Sequence, residues 1–327
     1  MISTSKRVTT STENRVKLGT DDYDNTITID GVDYVLRSLS DEVGGNRGGN
    51  SSVFRLLVAD EIDEDEPDIP VTEFIIKISN IPNNIPYSGF THNRRQRFRR
   101  EIVALKRARQ NQLSNVVKII DDGEIMIGAK TFYFYTMEKG SSDLNDYLSV
   151  RKTIQQKILL FQSILQGIKQ LHTIKIYHRD IKHDNIFMFG EECKIGDLGL
   201  MRFKYEDTLA LDNYQRLGAF GWECPEAMNK FLTEGAVNPE YTFDCVIDES
   251  SDIFQLGKLF WYILQGNLPI GCMQIDDFRI GDEDLFRVLE ALLQHSKNTG
   301  ALVTRRPLSV QAVEALMQPI ARKYGII

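Results

Sequence analysis

Alternating apolar and polar residues run through the first part of the chain and predict a series of short β-strands. The segment TITIDGVDYVL alternates on both sides of Asp30-Gly31, a turn dipeptide typical of a hairpin. Further strands are predicted for the β-branched and aromatic runs SSVFRLLV, TEFIIKIS, NVVKIIDDGEIM and TFYFYTME. Residues 1 to about 25 are rich in Ser, Thr and Asn without periodicity, which predicts a mobile tail.

The pattern becomes helical in one segment of this region and in most of the chain that follows. Phe98, Glu101, Ile102 and Leu105 recur at intervals of three and four residues, which places them on one helix face. The same spacing recurs in TIQQKILLFQSILQGIKQLHTI, SDIFQLGKLFWYILQG and DLFRVLEALLQH. We therefore predict an α+β fold with a mobile tail at 1–30, a β-rich lobe at 31–139 with an acidic insert at 60–70, and a helical lobe at 140–327.

Composition and charge fit a folded globular protein. Hydrophobic residues make up 42% of the 327 residues and charged residues 26%, which argues against extended disorder. The net charge of −7 gives no general attraction to nucleic acid or anionic membranes, so neither is an expected partner. Four widely spaced cysteines without a CxxC pair fit a reducing cytosol. Because no apolar stretch is long enough to span a bilayer, we expect a cytoplasmic protein without a membrane segment.

Candidate chemistry is concentrated in the segment IYHRDIKHDNIF, where charged residues lie between apolar ones. An aspartate can accept the proton of a hydroxyl group while a nearby lysine neutralises charge on a phosphoryl group. Asp180 and Lys182 provide this pair, and the carboxamide of Asn185 can complete a magnesium shell. Asp197, in KIGDLG, supplies a second metal ligand directly after a short strand. Together these residues predict a magnesium phosphate site.

The motifs resemble those of the eukaryotic-type protein kinase family, and the resemblance extends from about residue 33 to 318. HRDIKHDN is similar to the catalytic loop, and DLG is similar to the metal-binding DFG motif. The resemblance implies that Asp180 is the catalytic base, that Lys182 contacts the transferred phosphate, and that Asn185 and Asp197 bind the metal. Lysine at position 182 is similar to the Ser/Thr-specific branch. The implied fold is bilobal, with a β-rich N-lobe carrying the αC helix and an α-helical C-lobe.

The same resemblance implies residues that bind ATP. FIIK resembles the V-A-I-K strand, so Lys77 is implied to bind the α and β phosphates, with Glu101 of FRREIVALK as its ion-pair partner. Further implied adenine contacts are Met137 as gatekeeper, the backbone of Glu138 to Gly140 in the segment linking the lobes, and Phe187 in the floor of the pocket.

NRGGNSSVF resembles the glycine-rich loop of the family. The implied nucleotide contacts in this loop are Gly48, Gly49 and Val53. Two glycines of the family pattern are replaced here, by Asn46 and Ser51. Both are short polar residues that still permit tight turns, so we expect altered phosphate binding and not its loss.

Two further pairings are implied for the C-lobe, where CPE stands for the family's A-P-E. Glu226 is expected to pair with Arg306, and Asp252 is expected to cap the backbone of the catalytic loop. Two residues depart from the family pattern. Ile75 adds volume next to adenine, and Ala219 lacks the hydroxyl that would bridge the catalytic Asp and Lys.

Other polar residues of these motifs have weaker functional interpretations. His178 is predicted to pack and hydrogen-bond without a catalytic role. The basic run at 92–100 is either a solvated helix face or a contact for the acidic insert or a phosphorylated activation segment. Thr208 and Tyr214 are the candidate acceptors in that segment, and Arg179 resembles the residue that reads such a phosphate.

The functional expectation is a Ser/Thr protein kinase that uses ATP with Mg²⁺ or Mn²⁺, acts on protein substrates, autophosphorylates and associates with itself to do so. Two alternatives stay open. A pseudokinase that serves as a regulated interaction module is suggested by the altered glycine-rich loop, Ile75 and Ala219. A kinase for small molecules is disfavoured by the recognisable activation segment and its Pro225-Glu226 anchor.

Overall fold

The computed structural model divides the chain into two compact units. Unit 1 comprises Met1–Arg109 and Val117–Lys139, and unit 2 comprises Gln110–Val116 and Gly140–Ile327. The structure describes residues 3–6, 8–11, 14–19, 25–39, 51–62, 71–84, 89–205, 217–233, 243–297 and 305–327. Most of the predicted acidic insert, residues 63–70, lies outside these ranges.

Unit 1 is built on a seven-stranded sheet that closes on itself. The described residues of unit 1 form nine strands, of which all but β2 and β3 belong to this sheet: β1 (Ser3–Lys6), β2 (Thr9–Thr10), β3 (Val16–Lys17), β4 (Thr26–Ile29), β5 (Val32–Arg37), β6 (Ser51–Val58), β7 (Glu73–Pro82), β8 (Ile119–Ile127) and β9 (Lys130–Glu138). The sheet order is β1-β4-β5-β6-β7-β9-β8, and β1 also pairs with β8, while β2 and β3 pair with each other. The predicted hairpin is confirmed: β4 and β5 meet at Asp30-Gly31, whose φ angles of 48° and 84° suit a tight turn.

The prediction of a mobile tail is wrong for the described part of residues 1–30. Strand β1 pairs with β4 in antiparallel register and with β8 in parallel register. Val8 and Val16 are 6% and 0% exposed and join the core inside the closed sheet. The amide N of Val16 also donates to Ser52 Oγ at 3.2 Å. Burying a valine side chain stabilises a fold by roughly 1.5 to 3 kcal/mol, so the two valines add to the strand pairing that holds this polar segment on the sheet.

Helix α1 (Gly89–Gln110) is tied to the end of β7 by a buried arginine. Arg95 is 2% exposed, and its guanidinium donates to the carbonyl oxygens of Pro82 at 2.6 Å and Asn83 at 2.9 Å. The predicted helix face is buried at Phe98, Glu101, Ile102 and Leu105. Arg95 belongs to the basic run at 92–100 and therefore has a structural role there, because it anchors the helix that carries Glu101.

Unit 2 is mainly helical. Its elements are β10 (Ser142–Asp143), α2 (Leu144–Ser149), α3 (Ile154–Thr173), β11 (Ile176–Tyr177), β12 (Ile186–Phe189), β13 (Glu192–Ile195), β14 (Arg202–Phe203), α4 (Pro225–Thr233), α5 (Glu249–Gln265), α6 (Glu283–Leu292) and α7 (Val310–Lys323). The three predicted amphipathic helices correspond to α3, α5 and α6. Helix α3 begins with a capping box between Thr153 and Gln156. Phe161 of α3 stacks on Phe260 of α5 with ring centroids 4.0 Å apart.

Two small sheets in unit 2 position the loops of the predicted site. Strand β12 lies between β10 and β13, and β11 pairs with β14. The segment 178–185 connects β11 to β12, and Asp197 lies two residues after the end of β13. None of the helices in the described ranges has the length and apolar character needed to cross a bilayer. The four cysteines are free thiols.

Candidate active site

Five residues of unit 1 lie on one face of its sheet. In the strand register Val53 of β6 and Tyr135 of β9 are the direct partners of Lys77 in β7. Ile75 lies two residues before Lys77 and is paired with Met137. Paired residues, and residues two apart on one strand, project to the same face of a sheet. The structure thus brings together the predicted residues Val53, Lys77 and Met137, with Ile75 and Tyr135 among them.

Lys77 and Glu101 form the predicted ion pair. Lys77 Nζ lies 2.8 Å from Glu101 Oε1, and the two side chains are 11% and 2% exposed. Because an unpaired charge is costly at such burial, each group depends on the other. Tyr135 Oη donates to the same carboxylate oxygen at 2.8 Å. The pair is therefore part of a buried triad.

In unit 2, Asp180 lies in the segment between β11 and β12 and is held through both of its carboxylate oxygens. Lys182 Nζ lies 3.1 Å from Oδ2, and Asn185 Nδ2 donates to Oδ2 at 3.1 Å and to the backbone oxygen of Asp180 at 2.7 Å. The backbone N of Ala219 donates to Oδ1 at 3.2 Å. An ionised carboxylate has about four lone-pair sites, so these three donors fix its orientation without exhausting its capacity to accept a proton.

Ala219 contacts Asp180 although it lacks the side-chain hydroxyl that the family pattern places at this position. The contact with Asp180 needs only a backbone N–H, which any residue except proline supplies. Gly218, directly before it, has a φ of 98°, a left-handed conformation that glycine adopts without strain. The absence of the side-chain hydroxyl is therefore offset by the main chain.

The predicted metal ligands Asn185 and Asp197 are linked through the backbone. The N–H of Gly196, directly before Asp197, donates to the carbonyl oxygen of Asn185 at 2.9 Å. Since the amide nitrogen of Asn185 is bound to Asp180, its Oδ1 is the atom available for a cation. Asp197 has left-handed backbone angles (φ 51°, ψ 70°), and its Oδ1 accepts from Gly199 N at 3.3 Å. A carboxamide oxygen and a carboxylate are ligands that suit Mg²⁺, which keeps waters and substrate phosphates as its remaining ligands.

Asp252 of α5 caps the backbone of this segment, as predicted. Its Oδ2 accepts from His178 N and its Oδ1 accepts from Arg179 N, both at 2.8 Å, and the residue is fully buried. Gln255, one turn further along α5, accepts from Ile181 N at 3.0 Å. Helix α5 therefore sets the backbone course on both sides of Asp180.

His178 has the hydrogen-bonding role predicted for it. Its Nε2 lies 3.0 Å from the carbonyl oxygen of Gly196, and its Nδ1 accepts from Asp180 N at 3.3 Å. The imidazole thus connects the backbone of Asp180 to the residue before Asp197. These contacts are structural, because neither ring nitrogen is directed at a reacting group.

His172 of α3 lies against two carboxylates of α5. Its Nε2 is 2.8 Å from Asp252 Oδ2 and its Nδ1 is 3.3 Å from Glu249 Oε1. Burial alone would lower the pKa of His172, but the hydrogen bonds and charges of Asp252 and Glu249 raise this pKa to about 9. Tyr177, whose ring contacts the imidazole edge-on at 5.6 Å, has a pKa raised to about 12 by burial and the same carboxylates. The imidazole is therefore a buried cation at neutral pH.

The charge on His172 predicts a pH-dependent stability. The unfolded histidine titrates near pH 6.5, so the native state binds the extra proton between about pH 6.5 and 9. The contribution is complete below pH 6.5 and is lost as pH rises through about 9, for a total of at most about 3 kcal/mol. We expect urea midpoints to fall over this interval in the intact protein and to fall much less in His172→Gln. A small decline near pH 9 should persist there, because burial raises the pKa of the Cys193 thiol to about 11 and that of Cys224 to about 12.

His295→Gln is the matched control, since His295 lies beside Phe254 and outside this carboxylate pair. It should retain the decline of the intact protein. An equal slope in His172→Gln and in the intact protein would show that the imidazole is not the titrating group.

The remaining predicted adenine contacts are placed as follows. Glu138 ends β9, and its N–H donates to Lys118 O at 3.1 Å, so this N–H already has a hydrogen-bond acceptor within unit 1. At Gly140 an added Cβ would lie 2.8 Å from Met188 O, which explains the glycine. Phe187 lies on β12, half-buried and paired with Asp143.

Several predicted residues lie outside the described ranges. These are Asn46, Gly48 and Gly49 of the glycine-rich loop, and Thr208 and Tyr214 of the activation segment.

The predicted pair of Glu226 and Arg306 is confirmed. Arg306 Nη2 donates to Glu226 Oε1, and the side chains are 0% and 1% exposed. Arg306 Nε donates to Ser250 Oγ at 3.0 Å, and Glu226 Oε2 accepts from Ser251 Oγ at 3.1 Å. The pair therefore links α4 to the start of α5.

Sequence reasoning missed four residues of this arrangement: Tyr135, His172, Glu249 and Gln255. A signal was present for three of them. Tyr135 precedes Met137 by two residues in an alternating strand, and Glu249 and Gln255 lie three residues on either side of Asp252 in a helix. No local pattern marked His172, which belongs to the apolar face of α3.

Comparison with known proteins agrees with this geometry. The sequence matches the family described as Protein kinase domain over residues 82–311. It is 24% identical over 174 residues to the dual specificity protein kinase TTK of Mus musculus, and the matched region covers 53% of this chain and 19% of that protein. It is 27% identical over 198 residues to the serine/threonine-protein kinase STY46 of Arabidopsis thaliana (55% and 30%) and 40% identical over 117 residues to the serine/threonine-protein kinase Wnk of Drosophila melanogaster (34% and 5%).

The chain spans less than a third of the length of each of these relatives. The family match nevertheless covers more than half of the chain and includes the segments that carry Glu101, Asp180, Asp197 and Glu226. The ion pair, the capped loop and the buried Glu226–Arg306 pair all have the arrangement that the motifs predict. On this evidence the chain belongs to the protein kinase family.

Proposed function

We propose that this protein is a Ser/Thr kinase that transfers the γ-phosphoryl group of ATP to hydroxyl groups of protein substrates, its own chain included. The observation that carries the proposal is the Asp180 carboxylate, which Lys182, Asn185 and the Ala219 amide hold in one orientation. A carboxylate held in this way can orient an acceptor hydroxyl and accept its proton. Preference for Ser and Thr is supported by Lys182 and by the names of several relatives.

The other residues of the proposed site would neutralise negative charge on the phosphate groups. Lys182 lies beside the carboxylate and would neutralise the phosphoryl group as the proton passes to Asp180. Lys77, held by Glu101, would bind the nucleotide phosphates. Mg²⁺ or Mn²⁺, held by Asn185 and Asp197, would neutralise charge on the phosphate oxygens.

A catalytically silent interaction module is the second candidate, and Ile75 is the observation that favours it. Ile75 is 8% exposed and lies between Arg55 and Met137 in the register, on the face that carries Lys77. A branched side chain there reduces the room for a nucleotide base. The two candidates differ in whether phosphate is transferred.

The experiment that tests the proposal is γ-phosphate transfer from labelled ATP with Mg²⁺. The intact protein is compared with Lys77→Met, and Lys106→Met is the matched control because its ion pair with Asp122 is at the surface of unit 1. We expect transfer by the intact protein and by Lys106→Met, recovered as phosphoserine or phosphothreonine, and loss in Lys77→Met. Thermal stabilisation by ATP without any transfer would support the interaction module instead.

A further inference from the structure

We propose that Tyr135 is a positioning residue for the Lys77–Glu101 pair, holding the Glu101 carboxylate where it can orient the Lys77 ammonium. The inference rests on the proposed function insofar as Lys77 binds nucleotide phosphates. The position of Tyr135 on the sheet, its hydroxyl contact and the packing of its ring carry it independently of any bound nucleotide.

The hydroxyl of Tyr135 and the ammonium of Lys77 meet on one atom. Each lies 2.8 Å from Glu101 Oε1. The three residues are 1%, 9% and 2% exposed in the order Tyr135, Lys77, Glu101. At this burial a carboxylate depends on protein donors, and a hydrogen bond to a charged group is among the stronger ones.

The phenol ring cannot move away from this position without breaking other contacts. Tyr135 is the direct partner of Lys77 in the pairing of β7 and β9. Its ring centroid is 5.9 Å from Lys77 Nζ and 5.6 Å from the ring of Phe98, which lies one turn before Glu101 on α1. The ring thus packs against both elements that carry the ion pair.

Glu101 is therefore held from two sides. Arg95 fixes the helix to the end of β7 through the carbonyl oxygens of Pro82 and Asn83. Tyr135 fixes the carboxylate itself through β9. A glutamate side chain has three rotatable bonds, so anchoring of the helix alone leaves the carboxylate free to rotate away from Lys77. The tyrosine hydroxyl restricts that rotation by donating to the oxygen that Lys77 contacts.

Tyr135→Phe deletes the hydroxyl and keeps the ring. Tyr133→Phe is the matched control, because it makes the same chemical change two residues away on β9, where the ring contacts Arg99 and not the ion pair. Thermal unfolding of both variants is measured first, so that a general loss of packing is recognised.

The decisive measurement is the rate at which Lys77 is acetylated by acetic anhydride, followed by mass spectrometry in the absence of nucleotide. An amine held as a buried ammonium by a fixed carboxylate reacts slowly. We expect roughly threefold to tenfold faster acetylation of Lys77 in Tyr135→Phe and the unmodified rate in Tyr133→Phe. An equal or slower rate in Tyr135→Phe overturns the inference, whatever the phosphate transfer shows.

Phosphate transfer is measured in parallel with the same variants. We expect kcat/KM for ATP to fall about tenfold in Tyr135→Phe and to change less than about twofold in Tyr133→Phe. Faster acetylation combined with no transfer by the intact protein would refute the proposed function and leave the positioning role of Tyr135 standing. Unchanged acetylation of Lys77 in Tyr135→Phe, combined with transfer by the intact protein, would refute the positioning role of Tyr135 and leave the proposed function standing.

Discussion

Asp180→Asn is expected to lower phosphate transfer by about 10²-fold to 10⁴-fold, the range typical of a lost general base. The carboxamide carries no charge and cannot take up the hydroxyl proton. The substitution also breaks hydrogen bonds, because both carboxylate oxygens of Asp180 face donors. Oδ2 faces Lys182 and Asn185, and Oδ1 faces the amide of Ala219.

An asparagine at this position must turn its NH₂ group toward one of these donors in either orientation. Two donors cannot share a hydrogen bond, so at least one contact of the segment is lost with the charge. We therefore expect the fall to be in kcat, with a smaller change in KM for ATP.

The measurement is steady-state transfer to a Ser/Thr-rich acceptor. Asp284→Asn is the control, since Asp284 is exposed on α6 and binds Lys323 at the surface of unit 2. Full activity in Asp284→Asn with the predicted loss in Asp180→Asn supports the assigned role. Retention of more than about a tenth of the activity in Asp180→Asn would contradict it.

Arg306→Met is expected to lower the free energy of unfolding of unit 2 by about 3 to 5 kcal/mol, because it leaves the Glu226 carboxylate buried without its cation. The arginine also donates to Ser250 Oγ, and its guanidinium lies 5.2 Å from the ring of Phe254. Methionine retains much of the apolar volume, so the loss reports mainly on charge and hydrogen bonding.

Urea unfolding followed by tryptophan fluorescence is suited to this test. Both tryptophans, Trp222 and Trp261, lie in unit 2 and are 4% and 3% exposed. Arg287→Met is the matched control, because Arg287 pairs with Glu283 at 3.6 Å with both side chains more than 70% exposed. An exposed pair of this kind contributes about 0.5 kcal/mol or less, so its loss should be barely measurable.

The double variant Glu226→Leu with Arg306→Met separates the pair from its surroundings. Replacing both members of a buried ion pair by apolar residues is often close to neutral, so the double variant should recover much of the stability lost in Arg306→Met. If Arg306→Met is no less stable than Arg287→Met, the buried pair does not hold α4 to α5.

The sequence by itself determined the element types and most of the paired charges. Hydrophobic period marked the strands β4 to β9 of unit 1 and the helices α3, α5 and α6, because burial on one face imposes that period locally. Motif order placed Lys77 with Glu101, Glu226 with Arg306, and Asp252 under the catalytic loop. These residues have charged side chains in apolar surroundings, and such groups need specific partners.

Only the tertiary structure decided contacts that depend on strand register or on surroundings distant along the chain. Val16 is a single apolar residue in a polar segment, so its burial follows from the closure of the sheet and not from any local period. Tyr135 was visible as a strand residue, but only the pairing of β7 with β9 places its hydroxyl on Glu101. His172 owes its charge to Asp252, 80 residues away along the chain. The amide of Ala219 carries no side-chain signal at all, because every residue except proline has the same N–H and only the folded backbone directs this one to Asp180.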